Sequence, residues 1–447
     1  MFCTLKRYAK VALPLRMIGF LRPIWNWFRS KWLRVRLWRY QVVDYLQKVK
    51  IQSVISARIR KIRHLNRPIK VGFFVQYDAS FTLRKVFSLL CEEKDFDPQI
   101  VIIPDSLRGE KYMFETAERA FHTLSNEYGG RVVNSWDGTK WCDLAPQFDV
   151  CFISNPYDGQ TMSQYTITYN GKRGVPVFFA KYFYDCGTVA DRVFYKQQGF
   201  SFLWRFYFDR RCDVGQLYSA HWPLRIFNRV RVVGAPQTDA MADFVPKDRS
   251  RKLIVLAPHQ SVVEDGLLHI GNFNDYVELF LRLPKMYPHV DWVFRPHPLL
   301  FRRMVMAGYW TDSIKDEFLR KLTSFANVRY ENGGSYYETM MNSDAMIEDS
   351  GSFIGEYYYT GKPHCYVLHS EERMRRNFLP WGQTLLSHLY KAYSEQDIIN
   401  FIDNVVLAGN DPMKEEREKF AKEKLMYNYP HASEAIVADI KKALGRA

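Results

Sequence analysis

The sequence predicts an α/β protein with two doubly wound domains that face each other across a cleft. Its 447 residues exceed what one compact core organises and fit two domains of about 150–200 residues each. From residue 69 onward, short apolar runs alternate with helix-like stretches, which is typical of a parallel sheet with helices on both faces. The alternation occurs as two series, one on each side of a polar segment near residue 240.

The first series predicts an N-terminal domain over residues 69–235. Short β-branched or aromatic runs predict its strands, and amphipathic stretches between them predict its helices. The strand candidates are residues 69–77, 98–105, 149–155 and 175–183, and the helix candidates are 82–96 and 109–129.

The second series predicts a C-terminal domain over residues 236–425, and a C-terminal helix over 426–447. The polar segment 236–252, bounded by prolines, is the predicted linker. Ligands of doubly wound sheets bind at the carboxyl ends of the strands, where the strand order switches. The strand candidates are residues 230–236, 252–259, 291–298, 327–332, 344–351 and 364–370.

Basic residues are concentrated in an N-terminal extension, residues 1–68. The formal net charge is +15, but residues 1–70 contain 18 Lys and Arg and one acid, Asp44, so the remaining chain has a net charge of −2. A body without excess basic charge argues against a nucleic-acid enzyme. Within the extension, Trp alternates with Arg and Lys, which predicts a basic amphipathic helical segment on an anionic membrane surface. A helical hairpin packed on the body and an arm that binds a polyanion remain alternatives.

The cysteines and the apolar runs exclude several other classes. Seven cysteines are scattered without a CxxC pair, so the sequence predicts neither a disulfide scaffold nor a zinc site, and it favours a reducing compartment. Lys or Arg interrupts every apolar stretch of the extension, which predicts neither a signal peptide nor a membrane-spanning helix.

Polar clusters follow three successive strand candidates of the second series. His259 follows the first, Arg295 and His297 end the second, and Ser350 and Ser352 follow the third apolar run. Hydroxyl groups, N–H groups at a helix start and basic side chains bind phosphates. The sequence therefore predicts an anion site, although it contains no glycine-rich nucleotide fingerprint, no P-loop and no acidic trio for a metal.

Each of these signals also has a purely structural explanation. A single His after a strand is more often structural than functional, and Pro296 and Pro298 can simply end the strand. Ser350 can be a helix cap, and the acidic Gly-containing segment 264–266 can be a turn. Three such signals at three strand ends of one domain favour a binding site.

A series of motifs strengthens the prediction. They are GAPQTD (234–239), APHQS (257–261), RPHP (295–298), EDSGS (348–352), Glu356 and GKP (361–363). In their order and spacing, these motifs resemble the CDP-glycerol glycerophosphotransferase family, which includes the teichoic-acid polymerases and primases. SNPYDG (154–159) and KYFYDCG (181–187) resemble a capsule-associated branch of it.

The resemblance implies a GT-B fold and peripheral attachment to the cytoplasmic face of the bacterial inner membrane. It implies transfer of a polyol phosphate from a CDP-activated donor to a glycan or lipid-linked acceptor, without a metal or cofactor. The acceptor hydroxyl would attack the β-phosphorus and CMP would leave. His297 is the implied catalytic residue, and it would hold the pyrophosphate together with Ser350 and Ser352. The other implied donor-binding residues are His259, Gln260, Ser261, Arg295, Pro298, Asp349, Gly351 and Glu356.

Two departures from the family pattern concern the chemistry. The family's APTxR motif is APHQS here, so an arginine is lost and His259 is gained. The His-Gly pair that supplies the presumed base of the polymerases is absent from residues 70–230. Asp158 and Asp185 are the candidate bases, and Tyr184 and Asp78 are further candidates. A base must reach the acceptor hydroxyl, and the sequence leaves the choice open.

Two other functions remain open at this point. A glycosyltransferase with a CMP-sugar or other nucleotide-sugar donor, similar to the bacterial polysialyltransferases, would use His297, Pro298, the two serines and the segment 264–266. A non-catalytic assembly protein would use the basic extension to hold a polymer at the membrane.

Overall fold

The computed structural model describes residues 42–210, 214–264 and 268–447, which form two parallel sheets. The strands of the first sheet are β1 (Ile69–Val75), β2 (Phe96–Ile102), β3 (Val132–Asn134), β4 (Val150–Ile153), β5 (Val177–Ala180), β6 (Arg205–Phe208) and β7 (Val230–Val232). Those of the second sheet are β8 (Leu253–Ala257), β9 (Asp291–Phe294), β10 (Val328–Tyr330), β11 (Ala345–Glu348), β12 (His364–Val367) and β13 (Tyr390–Ala392).

Helices connect the strands in both domains. Those of the N-terminal half are α1 (42–62), α2 (Arg84–Glu92), α3 (Glu110–Tyr128), α4 (Ile167–Lys172), α5 (Val214–Ala220), α6 (Trp222–Ile226) and α7 (Pro236–Asp239). Those of the C-terminal half are α8 (Phe273–Met286), α9 (Leu300–Met306), α10 (Asp312–Thr323), α11 (Tyr337–Asn342), α12 (Phe353–Glu356), α13 (Glu371–Asn377), α14 (Pro380–Ser387), α15 (Glu395–Asn400), α16 (Lys414–Phe420) and α17 (Ala432–Leu444).

Both sheets have the Rossmann strand order. The first runs β3-β2-β1-β4-β5-β6-β7 and the second β10-β9-β8-β11-β12-β13, with every neighbouring pair parallel. In each sheet the order switches beside the first strand, between β1 and β4 and between β8 and β11. A doubly wound sheet has its ligand crevice at this switch point.

The composition of β8 shows why these runs form central strands. All five residues of LIVLA are buried. Leu253, Val255 and Ala257 belong to one apolar cluster, whereas Ile254 and Leu256 belong to another. Because side chains alternate between the faces of a strand, an uninterrupted apolar run fits a strand that is covered on both sides.

Helices α1 and α17 both pack on the N-terminal domain. Helix α1 buries Ile55 and Ile59 in the apolar core of that domain, and α17 buries Ile436 and Ile440 in the same core. On α17, Asp439 also accepts hydrogen bonds from Arg205, Tyr207 and Arg231, which lie on β6 and β7. The C-terminal end of the chain therefore crosses back to the first domain.

The predicted architecture is confirmed, with differences in detail. Residues 230–232, predicted to open the second series, instead form β7 at the edge of the first sheet. Strands β3, β6 and β13 were not predicted, and the predicted linker begins with the buried helix α7. Most of the basic extension, residues 1–41, lies outside the described residues. In the part of the chain that is described, no helix is both long and apolar enough to cross a membrane.

Candidate active site

The carboxyl ends of the central strands of both sheets border one cavity of about 510 Å³. Tyr77 and Ser154 follow β1 and β4 on the N-terminal side, and His259, His297 and Ser350 follow β8, β9 and β11 on the opposite side. A concave site with mixed apolar and polar lining at a switch point is the usual position of a nucleotide site.

The structure brings eight of the thirteen predicted site residues to this cavity. They are His259, Gln260, Arg295, His297, Pro298, Ser350, Ser352 and Glu356. All eight come from the C-terminal domain, and they form what we call the donor wall. Among the described residues, no group of three His, Cys, Asp or Glu side chains is arranged to hold a metal ion.

The backbone fixes the tautomer of His297. The Leu299 N–H donates to Nδ1 of His297 at 3.1 Å. Because Nδ1 accepts this bond, the ring proton of the neutral imidazole lies on Nε2, which is the nitrogen available to the cavity. Burial lowers the pKa of His297 well below its ordinary value, so the ring is a neutral N–H donor at neutral pH.

His259 is held in the same way by Ser261. Its Nδ1 accepts from the Ser261 N–H at 3.3 Å and lies 2.7 Å from the Ser261 hydroxyl, which itself accepts the Gly271 N–H at 3.2 Å. Burial lowers the pKa of His259 to about 4. The ring centres of His259 and His297 are 5.0 Å apart and the ring planes make an angle of 78°, so two neutral imidazoles meet edge to face on the donor wall.

Asp349 lies behind the donor wall and joins its loops. Its two carboxylate oxygens accept the backbone N–H groups of His259 at 2.6 Å and Asn272 at 2.5 Å. Burial raises the pKa of Asp349 to about 7, against the lowering effect of these two donors. Asp349 and Ser261 do not line the cavity, and they act by positioning His259. Gly351 does not line the cavity either.

The serine loop combines a structural and a binding feature. The Ser350 hydroxyl oxygen accepts the N–H groups of Ser352 at 3.1 Å and Phe353 at 3.3 Å, so it stabilises the turn that leads into the single-turn helix α12, whose N-cap residue is Ser352. The hydroxyl hydrogen of Ser350 remains available as a donor. Ser350 can therefore stabilise its loop and also donate a hydrogen bond to a ligand at the donor wall.

The guanidinium of Arg295 forms its hydrogen bonds with other protein groups. It pairs with the Glu331 carboxylate at 2.6 Å and donates to the carbonyl oxygens of Gly333 and Gly334 at 2.9 and 2.7 Å. The Gly334 N–H in turn donates to Asp78 of the N-terminal domain at 2.8 Å. Arg295 therefore stabilises an interdomain loop, and it shares the Glu331 carboxylate with Arg329.

The two predicted catalytic aspartates do not line the cavity. Asp158 accepts the N–H groups of Ile167 and Thr168 at the start of α4. Asp185 is buried and pairs with Lys181 at 2.6 Å. Asp158 and Asp185 thus have structural partners, and this geometry does not support a role for either as the base.

The two further candidate bases, Tyr184 and Asp78, are also buried and absent from the lining. The opposite wall instead contains side chains that were not predicted as site residues, although Tyr157 and Tyr182 belong to the SNPYDG and KYFYDCG motifs. These side chains are Tyr77, Arg108, Tyr112, Arg119, Tyr157 and Tyr182. The signal for Tyr77 was its position directly after the first predicted strand. Arg108, Tyr112 and Arg119 carried no such signal because they come from a loop and helix after β2.

Among the described residues, Glu356 supplies the one carboxyl group of the cavity lining, and it is 1% exposed. Burial raises its pKa from the ordinary 4.5 to about 8. A carboxyl whose pKa is raised in the folded state adds stability below its unfolded pKa and loses that contribution as the pH rises through the folded pKa. Between pH 6.5 and 8 this loss amounts to about 2 kcal/mol.

Glu356→Gln is therefore expected to remove this part of the pH dependence, because the amide has no proton to lose. Urea unfolding at the two pH values measures the change, with exposed Glu415→Gln as the matched control. An unfolding free energy that falls equally in wild type and Glu356→Gln would show that Glu356 does not titrate in this range.

Solved structures with this arrangement of domains share the fold at low sequence identity. The wall teichoic acid polymerase TagF soaked with CDPG aligns with a TM-score of 0.56 and 12% identity, covering 93% of this chain and 98% of that chain. UDP-GlcNAc 2-epimerase from Neisseria meningitidis bound to UDP-GlcNAc aligns with a TM-score of 0.50 and 15% identity, covering 84% and 100%. For the S. aureus MnaA–UDP structure the values are 0.53, 14%, 85% and 98%.

No protein-family model and no curated protein matches the sequence. The structural likeness, together with the two Rossmann-type sheets and the cavity between them, shows that the chain has a GT-B fold.

Proposed function

We propose that this protein is a transferase that moves a polyol phosphate, glycerol or ribitol phosphate, from a CDP-activated donor to a glycan or lipid-linked acceptor. The observation that carries the proposal is the pair of neutral imidazoles on the donor wall. The rings of His259 and His297 are 5.0 Å apart, each with its proton on Nε2, and Ser350 lines the same wall. Such fixed donors match the oxygens of a diphosphate.

The proposed reaction makes one P–O bond and breaks another. The acceptor hydroxyl attacks the β-phosphorus of the donor, the bond to CMP breaks, and a phosphodiester forms. His297 donates a hydrogen bond to the phosphate oxygens as negative charge shifts towards CMP. Glu356, when deprotonated, is the carboxylate of the lining that is available to take the proton of the attacking hydroxyl. We propose that no metal takes part, because these donors stabilise the charge.

The proposed location is the cytoplasmic face of the bacterial inner membrane. The support is the basic, Trp-rich extension, to which helix α1 belongs. Val43 and Leu46 of α1 are 63% and 58% exposed, and Val54 is 46% exposed. Exposed apolar side chains beside basic residues fit an anionic membrane surface, where the synthesis of a capsule or teichoic-acid-like polymer would take place.

Glycosyl transfer from a nucleotide sugar is the second candidate. Five tyrosines line the cavity, and aromatic rings offer flat surfaces to sugar rings. They are Tyr77, Tyr112, Tyr157, Tyr182 and Tyr336. The structurally similar UDP-GlcNAc 2-epimerase, which was solved with UDP-GlcNAc bound, has the same fold. Because CMP would leave in both cases when the donor is a CMP-sugar, only a phosphodiester in the product separates the two reactions.

A donor screen tests the proposal. Purified protein is mixed with CDP-glycerol, CDP-ribitol, CMP-sialic acid or UDP-GlcNAc, and Tm is measured. A donor present at 100 times its Kd is expected to add about 2.7 kcal/mol, a shift of several degrees. The double variant Ser350→Ala/Ser352→Ala is expected to lose most of that shift, whereas Ser387→Ala, outside the cavity, is expected to keep it.

The outcomes of the screen separate the candidates. Binding of a CDP-polyol followed by a phosphodiester signal in the product supports polyol phosphate transfer. Binding of CMP-sialic acid or UDP-GlcNAc instead moves the assignment to glycosyl transfer. If no nucleotide raises Tm, the non-catalytic alternative, a polymer-assembly protein, becomes the better explanation.

A further inference from the structure

The wall that faces the donor wall is formed by the N-terminal domain and carries positive charge. Arg108 and Arg119 line it together with Tyr77, Tyr112, Tyr157 and Tyr182. Among the described residues, this domain contributes no Asp, Glu or His side chain to the lining. Its cationic and aromatic side chains therefore face the cavity, and the carboxylates that pair with the two arginines, Asp105 and Asp78, lie outside the lining.

Arg108 is held rigidly from behind. Its guanidinium donates to the Tyr77 hydroxyl at 2.7 Å and pairs with Asp105, whose side chain is fully buried. Arg302 of α9 donates to the carbonyl oxygen of Arg108, and its guanidinium lies 4.8 Å from the ring centre of Tyr112. The helix that follows the RPHP motif therefore fixes the loop that carries Arg108. Arg108 and His297 line the same cavity from opposite walls.

Arg119 is only loosely neutralised. Its Nε lies 3.7 Å from Oδ1 of Asp78, and its side chain is 38% exposed. The other oxygen of Asp78 accepts the Gly334 N–H from the C-terminal domain. Arg108 is therefore paired closely with Asp105, whereas the ion pair of Arg119 with Asp78 is long and more than a third of the Arg119 side chain is exposed.

We infer that this arginine–tyrosine wall is an acceptor subsite for an anionic group, a phosphate or a carboxylate next to the attacking hydroxyl. The inference rests on the proposed function, because it assumes that the donor's phosphates occupy the opposite wall. Guanidinium groups bind phosphate and carboxylate oxygens with charge-assisted hydrogen bonds, and tyrosine rings beside them contact the carbon atoms of a sugar or polyol. The acceptor is accordingly the charged end of a phosphorylated or acidic glycan.

Calorimetric titration tests the subsite, with and without saturating CDP. The probes are sn-glycerol 3-phosphate, N-acetylneuraminic acid and neutral glycerol. One or both anions are expected to bind, and glycerol is not. Arg119→Gln is expected to weaken the anion by about 10-fold to 100-fold, the equivalent of one charge-assisted hydrogen bond. Arg108→Gln is the second variant, and Arg320→Gln on the exposed face of α10 is the matched control.

The results distinguish failure of the subsite from failure of the donor site. Binding of the phosphate or of the carboxylate supports the subsite and identifies the source of the charge. CDP binding with no anion binding, or equal binding of glycerol and the anions, overturns the subsite and leaves the proposed function standing. Loss of CDP binding in Arg119→Gln also overturns it, because the arginine would then belong to the donor's phosphates.

Discussion

Replacing His297 with alanine is expected to lower turnover of the CDP-activated donor by about 100-fold to 1,000-fold, the usual loss when a fixed donor to a developing negative charge is removed. The backbone bond from Leu299 to Nδ1 gives the ring its orientation before any ligand arrives. The neutral ring also avoids the cost of burying a charge. The Nε2–H group is therefore preorganised, and alanine removes it without a substitute.

Steady-state kinetics with the donor identified by the screen measure this effect. His297→Gln supplies an amide N–H near the position of Nε2 and is expected to recover part of the rate. His122→Ala is the matched control, because His122 is 69% exposed on α3 and lies outside the cavity. Wild-type turnover in His297→Ala would contradict the proposed donor site.

The sequence predicted those elements whose burial is visible locally. Strand β8 is an uninterrupted apolar run, and α3 has a clear amphipathic pattern over nineteen residues. Strand β6 was missed because it begins with a charged residue, Arg205. That guanidinium is accommodated by Asp439, 234 positions further along the chain, and such a partner cannot be inferred from local sequence.

The same limit explains which half of the site was predicted. The donor wall comes from three strand ends of one domain, so its residues could be predicted from their positions directly after predicted strands. The facing wall depends on contacts between domains, such as the bond from Arg302 to the Arg108 carbonyl oxygen, which spans 194 positions.

Residue type alone did not show which partners the two aspartates and Arg295 have. Asp158 and Asp185 follow strands, as catalytic carboxylates often do, yet they satisfy a helix start and a buried lysine. Arg295 follows a strand too, but it pairs with Glu331.

Replacing Gly355 with alanine is expected to destabilise the protein by about 3 kcal/mol, the upper end for overpacking a core. Gly355 lies in α12, directly after the serine loop, and a methyl group there would overlap the ring of Tyr184. That ring comes from the N-terminal domain, is 2% exposed, and belongs to the apolar cluster of the C-terminal domain. Because the Tyr184 ring is buried on all sides, the strain falls on the contact between the domains and on the loop that holds Ser350.

Thermal unfolding is expected to show a Tm lower by about 5–10 °C in Gly355→Ala. Gly130→Ala is the matched control, because an added methyl group at Gly130 meets no atom within 4 Å. The decisive comparison is made in a Tyr184→Leu background, where the smaller side chain leaves space for the methyl group. If the clash is the cause, Gly355→Ala will cost less than about 1 kcal/mol there, and the difference measures the coupling between the two residues. An unchanged cost in that background would place the strain elsewhere in α12 and separate it from the interdomain contact.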